Sequence, residues 1–135
     1  MKLNEKLIYF KNNISELEIV DDSLRPDFEG RQLSNHVGAY ASIITTNIQG
    51  TEEIFIIYQE GTDSDVVIAR RHTNSWTKTT LSGNESQFEG AKGFFASSVL
   101  SDIDPAEAII ANYVITPGGE SNHLELFKIS LLDIP

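Results

Sequence analysis

The apolar residues of this chain come in short runs that are rich in Ile, Val, Phe and Tyr and end at Gly, Asn, Asp, Ser or Pro. Runs of strand length between turn-forming residues are typical of β-strands, and no stretch shows the periodicity of a convincing amphipathic helix. The sequence therefore predicts an all-β fold. The predicted strands cover residues 6–10, 14–20, 40–46, 53–59, 66–70, 76–81, 93–100, 108–116 and 123–131.

Two segments between these strands need separate interpretation. Asp21-Asp22-Ser23 and Pro26-Asp27 predict a loop after the second strand, because these residues favour turns. Asp104 followed by Pro105 could begin a helix over 104–111, with the aspartate as N-cap and the proline in the first helical position. The run Tyr113-Val114-Ile115-Thr116 and the turn after it favour a strand instead.

Hairpins recur along the chain. Phe28 precedes Leu33-Ser34 by the same interval as Trp76 precedes Leu81-Ser82. The two groups of residues are separated by an offset of 48 residues along the chain. A period of about 50 residues with four short strands per unit is typical of a β-propeller blade. A single domain, 1–135, is thus predicted to contain three repeat units of about 1–39, 40–90 and 91–135. A monomeric β-sandwich or barrel is the alternative, since any all-β chain carries hairpins at similar spacing.

Three blades are too few to close a propeller ring, which needs about four or more. An open arrangement would leave strand edges unpaired and prone to aggregation. Two copies of the chain would complete a six-bladed ring and remove those edges. We therefore expect a homodimer.

The charge balance narrows the choice of partners. Lys and Arg number 10 against 20 Asp and Glu, a formal net charge of −10. Nucleic-acid backbones and anionic membrane surfaces both attract basic proteins, so we expect neither as a partner. An acidic surface would instead pair with a basic protein. The chain contains no Cys, which excludes disulfides, thiolate catalysis and zinc–thiolate sites.

The first residues, Met1 to Lys6, are too polar to open a signal peptide, and no apolar run is long enough to span a membrane. The simplest expectation is a soluble, cytoplasmic protein, or a secreted one if a leader was removed.

Catalytic and metal-binding motifs are weak. His36, His72 and His123 stand far apart, and the chain has no nucleophile elbow and no phosphate-binding loop. Residues 60–65 place oxygen ligands at alternate positions but lack the continuation of a calcium-binding loop. We expect no enzyme activity, no metal and no cofactor; a glycosidase-like hydrolase that uses paired carboxylates is the third functional alternative.

One stretch resembles a known family. Residues 40–44 form a strand of small residues, 54–59 a strand that ends in Tyr58-Gln59, 65–69 a third strand, and 76–83 a segment that opens with Trp76. This order is similar to one blade of the fungal fucose-specific lectins. The first unit matches in part, with Phe28 in place of the tryptophan, and the third unit matches in strand order. The resemblance implies a β-propeller that binds sugars between neighbouring blades.

The family holds fucose with an arginine from the second strand, a glutamate from the third and an aromatic platform. Phe55 and Leu7 stand at the arginine position, and Ala69 and Leu126 stand at the glutamate position. Glu16 alone keeps the acid and Trp76 alone keeps the tryptophan.

Sugar binding needs polar groups that grip hydroxyls and an aromatic face that stacks on the ring. The candidate ligand-binding residues are Glu16, Tyr58, Arg70, Arg71 and Trp76. Structural roles are the alternative, in which Trp76 caps a blade and Tyr58 fills the core. The first functional hypothesis is therefore a lectin-like protein with a glycan ligand, and the second is a non-enzymatic, acidic protein-interaction or structural β-domain.

Overall fold

The computed structural model describes residues 6–10, 17–22, 24–26, 32–34, 39–60, 65–81, 93–114 and 123–135. Within these ranges the secondary structure consists of β-strands and one 3₁₀ turn, Leu131–Asp133. The strands are β1 (Lys6–Phe10), β2 (Leu17–Asp22), β3 (Leu24–Pro26), β4 (Gln32–Ser34), β5 (Ala39–Ile48), β6 (Thr51–Glu60), β7 (Asp65–His72), β8 (Ser75–Thr80), β9 (Gly93–Leu100), β10 (Glu107–Val114) and β11 (His123–Ser130). The all-β prediction is confirmed.

The described strands form small antiparallel sheets, none of which closes into a barrel. Strands β1 and β2 pair as a two-stranded sheet, here called the hairpin, and β3 pairs with β4. Strands β5 to β8 follow one another as a meander, the central sheet. Strands β9 to β11 form a second meander, the three-stranded sheet. Within each sheet, strands that follow one another in the sequence also lie side by side.

Strand β6 of the central sheet is covered on both faces. Every residue from Ile54 to Gln59 of β6 is buried. Because successive side chains of a strand point to opposite faces, Phe55 and Ile57 pack toward the three-stranded sheet while Ile56 and Tyr58 pack toward the hairpin. An uninterrupted apolar run in one strand therefore indicates a sheet that lies between two others.

Two separate cores follow from this arrangement. The core between the central and three-stranded sheets contains Ile44, Ile48, Phe55, Ile57, Val66, Ile68, Leu81, Ala108, Ile110, Ile129, Leu131 and Ile134. The smaller core beneath the hairpin contains Val20, Ile56, Tyr58, Val67 and Ala69, with Leu7, Tyr9 and Trp76 packed at its margin. The fold is thus a stack in which the hairpin, the central sheet and the three-stranded sheet follow in chain order.

The loop predicted after the second strand is wrong at its start and in its interior. Asp21 and Asp22 continue β2, and the short strands β3 and β4 lie beyond them. Asp21 stays in the strand although its carboxylate is buried, because Tyr58 and Lys78 supply hydrogen bonds to it. Residues 14–16, which the sequence assigned to the same strand, lie outside the described residues.

The helix alternative for 104–111 is also not observed. Residues from Glu107 onward form β10, which pairs with β9 and β11 on its two sides. Asp104 closes the preceding turn, where its Oδ1 accepts the backbone N–H of Ala106 at 2.8 Å. The N-capping chemistry read from the sequence therefore serves a turn rather than a helix. In the described part of the chain, no helix has the length and apolar character needed to cross a membrane.

Candidate functional site

A β-bulge in β2 shapes the contact between the hairpin and the central sheet. Leu7 pairs with Asp21 and Ile8 pairs with Ile19, so Val20 is the extra residue on the β2 side. The bulge interrupts alternation and turns both Val20 and Asp21 toward the central sheet, where they are 3% and 2% exposed.

The Asp21 carboxylate accepts hydrogen bonds from two side chains of the central sheet. The Tyr58 hydroxyl donates a short hydrogen bond to Oδ2. The Lys78 ammonium lies 3.1 Å from Oδ1, with its own side chain 41% exposed. A buried carboxylate with two such donors keeps most of the stabilisation that it would lose on leaving water.

Glu18, on the same face of β2, accepts three hydrogen bonds. Arg71 donates from Nε to Oε2 at 2.9 Å and from Nη2 to Oε1 at 2.6 Å, and the Trp76 indole donates to Oε2 at 2.9 Å. The hydrogen bonds from Arg71 are the main cause that lowers the pKa of Glu18 below its usual 4.5; desolvation opposes the shift, and the Trp76 bond and the Arg71 charge add to it.

Tyr9 completes this contact from β1. Its ring meets the Trp76 ring edge-on, with centroids 5.3 Å apart, and the Arg71 guanidinium lies 5.6 Å from its centroid. Aromatic and cation–π contacts of this kind hold the three side chains in one arrangement. We call the set formed by Tyr9, Glu18, Asp21, Tyr58, Arg71, Trp76 and Lys78 the hairpin junction.

The hairpin junction includes three of the candidate residues named from the sequence, namely Tyr58, Arg71 and Trp76. Tyr58 is fully buried, Trp76 is half-buried, and the hydrogen bonds of Arg71 and Trp76 go to Glu18. Glu16 lies outside the described residues. These described polar groups therefore join the hairpin to the central sheet.

Arg70 lies on the other face of the central sheet, because neighbouring residues of a strand point in opposite directions. Its Nε and Nη2 donate to the Glu53 carboxylate at 3.2 and 3.0 Å, and its Nη1 donates to the Ile134 carbonyl at 2.7 Å. The guanidinium also lies 5.6 Å from the Phe55 ring centroid. The structure thus separates Arg70 from Arg71, which the sequence grouped in one candidate site.

Sequence reasoning missed Tyr9, Glu18, Asp21 and Lys78. The alternating pattern of 14–20 places Glu16 and Glu18 on one face of the predicted strand. The same spacing that pointed to Glu16 was therefore a signal for Glu18 as a candidate site residue. Asp21 reaches the junction through the bulge, and no signal in the sequence shows a bulge there. No group of three or more His, Asp or Glu side chains among the described residues could hold a metal ion.

A cleft of about 260 Å³ lies beside the junction, between the hairpin and the central sheet. Its lining consists of Leu7, Ile8, Tyr9, Phe10, Ala41, Ser42, Ile43 and Ile56. Four consecutive residues of β1 line it, although alternate ones point to opposite faces. The cleft therefore runs along the edge of β1 rather than over one face of it.

The floor of this cleft is a part of the central sheet that the hairpin does not cover. The hairpin packs on β6, β7 and β8 through Ile56, Val67 and Trp76. Ile43 of β5 points to the same side as its pairing partner Ile56, yet it is 55% exposed. In the described structure β1 pairs with β2 alone, so its other edge borders the uncovered strip of β5.

Comparison of the chain with protein-family models, with curated proteins and with solved structures found no match. Functional inference therefore starts from the cleft and from the sheet surfaces. Binding of a glycan stays a prediction, and a glycan array with Trp76→Ala as the comparison variant would test it.

Proposed function

We propose that this chain is a non-enzymatic protein-interaction domain that accepts an extended segment of a partner protein as an added β-strand beside β1. The observation that carries the proposal is the cleft in which the edge of β1 lies next to exposed apolar residues of β5. Addition of a strand to an open sheet edge is a common way in which proteins bind peptides.

The geometry gives the added strand a defined place. Neighbouring strands of a sheet lie about 4.8 Å apart, and stacked sheets lie about 10 Å apart. A strand paired with β1 would widen the hairpin by one position and extend it over β5, as β1 and β2 already extend over β6 to β8. It would bury Ile43 and Ala41, and main-chain hydrogen bonds to β1 would supply affinity.

The chemistry of the partner segment follows from the lining and from the charge. Ile43, Ala41 and Ile56 favour apolar side chains on the face that points into the cleft. The net charge of −10 favours positive side chains on the opposite, solvent-facing positions. The proposed ligand is therefore an extended segment in which apolar and basic residues alternate.

A labelled short peptide of alternating valine and lysine is a suitable probe. Fluorescence anisotropy should show saturable binding that weakens as salt is added, because the charge attraction is screened. A peptide with proline in place of each valine carries the same charge but has fewer backbone N–H donors, so it should bind at least about tenfold more weakly. Bound peptide should also slow amide exchange in residues 7–10.

Two variants locate the binding. Ile43→Lys places a charge in the cleft and should weaken binding of the valine–lysine peptide by about tenfold or more. Ile103→Lys makes the same change at a turn residue that is 89% exposed, and it should leave binding unchanged. Equal binding of the proline peptide, or equal affinity of Ile43→Lys and the parent chain, would overturn the proposal.

We also propose that the hairpin, the central sheet and the three-stranded sheet are successive blade-like units of a propeller. They stack in chain order, and the first strands of the latter two lie together, where the hydroxyls of Ser42 and Ser98 are 2.5 Å apart. A strand added beside β1 would occupy the corresponding first position in the hairpin. A crystal structure of the chain with the peptide would test this arrangement; sheets arranged without a common axis would contradict it.

A further inference from the structure

The two outermost surfaces of the stack are both mainly apolar, with one lysine on each, Lys6 on the hairpin and Lys128 on the three-stranded sheet. On the hairpin, the side chains that point away from the central sheet are Ile8, Phe10, Leu17 and Ile19, which are 44%, 62%, 53% and 55% exposed. They form two directly opposed pairs, Ile8 with Ile19 and Phe10 with Leu17. We call this surface the hairpin face.

The three-stranded sheet carries the second surface. Val99, Tyr113, Leu124 and Leu126 are 60%, 36%, 65% and 68% exposed. The register places Leu124 opposite Tyr113, Leu126 opposite Ala111, and Val99 opposite Ile109, so these residues share one face. The other face of the same sheet carries Ile110 and Ile129, which are buried against the central sheet. We call this second surface the outer sheet face.

We infer that the hairpin face of one copy of this chain packs on the outer sheet face of a second copy. Both junctions inside the chain are contacts between sheets through Ile, Val, Leu and aromatic side chains, and the two outer faces carry the same residue types. The faces lie at opposite ends of the stack, so a second copy can continue the stacking that the chain already shows. An exposed apolar surface of this kind marks an interaction site.

The exposed area indicates how many copies the assembly contains. Taking on the order of 200 Å² for a fully exposed large side chain, each face offers roughly 450 Å² of apolar surface. A stable interface buries about 800 Å² on each partner, so a single contact falls short. Two copies that join at both ends use both faces of each chain and reach roughly 900 Å² per copy. Head-to-tail contacts close into a ring of two when each stack turns through half a circle, so the ring rests on the propeller arrangement proposed above.

Light scattering during size-exclusion chromatography tests the assembly on the full chain. The parent chain should have twice the single-chain mass of 15.0 kDa. Phe10→Lys and Leu126→Lys, one on each face, should each give single chains, whereas Ile103→Lys in the exposed turn should keep the parent mass. Circular dichroism checks that each variant keeps its strands. A parent chain of single-chain mass at every salt concentration would overturn the inference.

A mixing experiment separates head-to-tail contact from contact between like faces. Phe10→Lys retains the outer sheet face and Leu126→Lys retains the hairpin face, so a mixture of the two can form one head-to-tail contact. Chemical cross-linking should therefore capture a mixed pair and no pair of either variant alone. If either variant alone still pairs, the contact joins like faces and the inference is wrong.

Salt distinguishes this inference from the proposed function. Two chains that each carry a charge of −10 repel one another, so added salt should strengthen their association. The same salt should weaken binding of the valine–lysine peptide. Leu126→Lys should abolish self-association without changing peptide affinity, and Ile43→Lys should do the reverse; either proposal can thus fail while the other stands.

Discussion

Arg71 and Glu18 join the central sheet to the hairpin through two parallel hydrogen bonds, with Nε 2.9 Å from Oε2 and Nη2 2.6 Å from Oε1. Trp76 adds a third bond to the same carboxylate from the neighbouring strand. A forked contact of this type fixes orientation as well as distance. It therefore sets the position of the hairpin over β6 to β8, and with it the position of the cleft beside β1.

The junction should make stability depend on pH. The pKa of Glu18 is lowered in the folded chain. Its contribution to the free energy of unfolding is therefore complete above about pH 4.5, the usual pKa, and is lost as the pH falls through the lowered pKa. Urea midpoints should show Glu18→Gln less stable than the parent at pH 7. The difference in stability should shrink as the pH falls from about 4.5 through the lowered pKa of Glu18. Glu52→Gln, at an exposed position, should show little difference at either pH. A Glu18→Gln deficit that is independent of pH would contradict this assignment.

Tyr58→Phe should destabilise the fold by about 2 kcal/mol, because it removes a hydrogen bond to a buried carboxylate. The aromatic ring remains, so the change isolates the hydroxyl from core packing. Equilibrium urea unfolding measures the loss. Tyr113→Phe removes a hydroxyl at a 36% exposed position and should change stability by less than about 0.5 kcal/mol. Equal effects at the two positions would show that the bond to Asp21 contributes nothing.

Asn112→Val should stabilise the chain by about 1 kcal/mol or more. Asn112 is fully buried on β10, and among the described residues neither its side-chain nitrogen nor its oxygen has a hydrogen-bond partner. Valine removes both unsatisfied groups and suits a strand. Thermal unfolding checks the result, with Asn47→Val as the exposed comparison on β5. A lower melting temperature for Asn112→Val would indicate that the amide has a partner in solution.

Thr73→Asn should stabilise the turn between β7 and β8 by about 0.5 to 1 kcal/mol. Thr73 has a φ of 53°, a left-handed conformation that is costly for a β-branched residue and that asparagine tolerates better. The test compares the urea midpoint of Thr73→Asn with that of Thr51→Asn. Thr51 lies in β6, where the backbone is extended. A gain at Thr51 that equals the gain at Thr73 would rule out the backbone explanation.

The local pattern of apolar residues and turn residues predicted where these strands lie. The predicted strand 53–59 lies within β6, 66–70 lies within β7, and 93–100 coincides with β9. Apolar runs between turn residues identify strands because the side-chain period and the turn chemistry are local properties. The same locality explains the mistaken loop at Asp21, where acidic residues look like turn formers until their partners are known.

The sequence by itself determined that this chain is all-β and where strands such as β6, β7 and β9 lie along it. Only the tertiary structure decided which polar residues meet: it set Arg70 and Arg71 on opposite faces and used a bulge at Val20 to bring Asp21 to Tyr58. It also decided which apolar residues stay exposed, Ile43 beside β1 and Leu126 on the last sheet among them. The reason is physical: strand formation depends on neighbours along the chain, whereas burial and ion pairing depend on which sheet comes to lie against which.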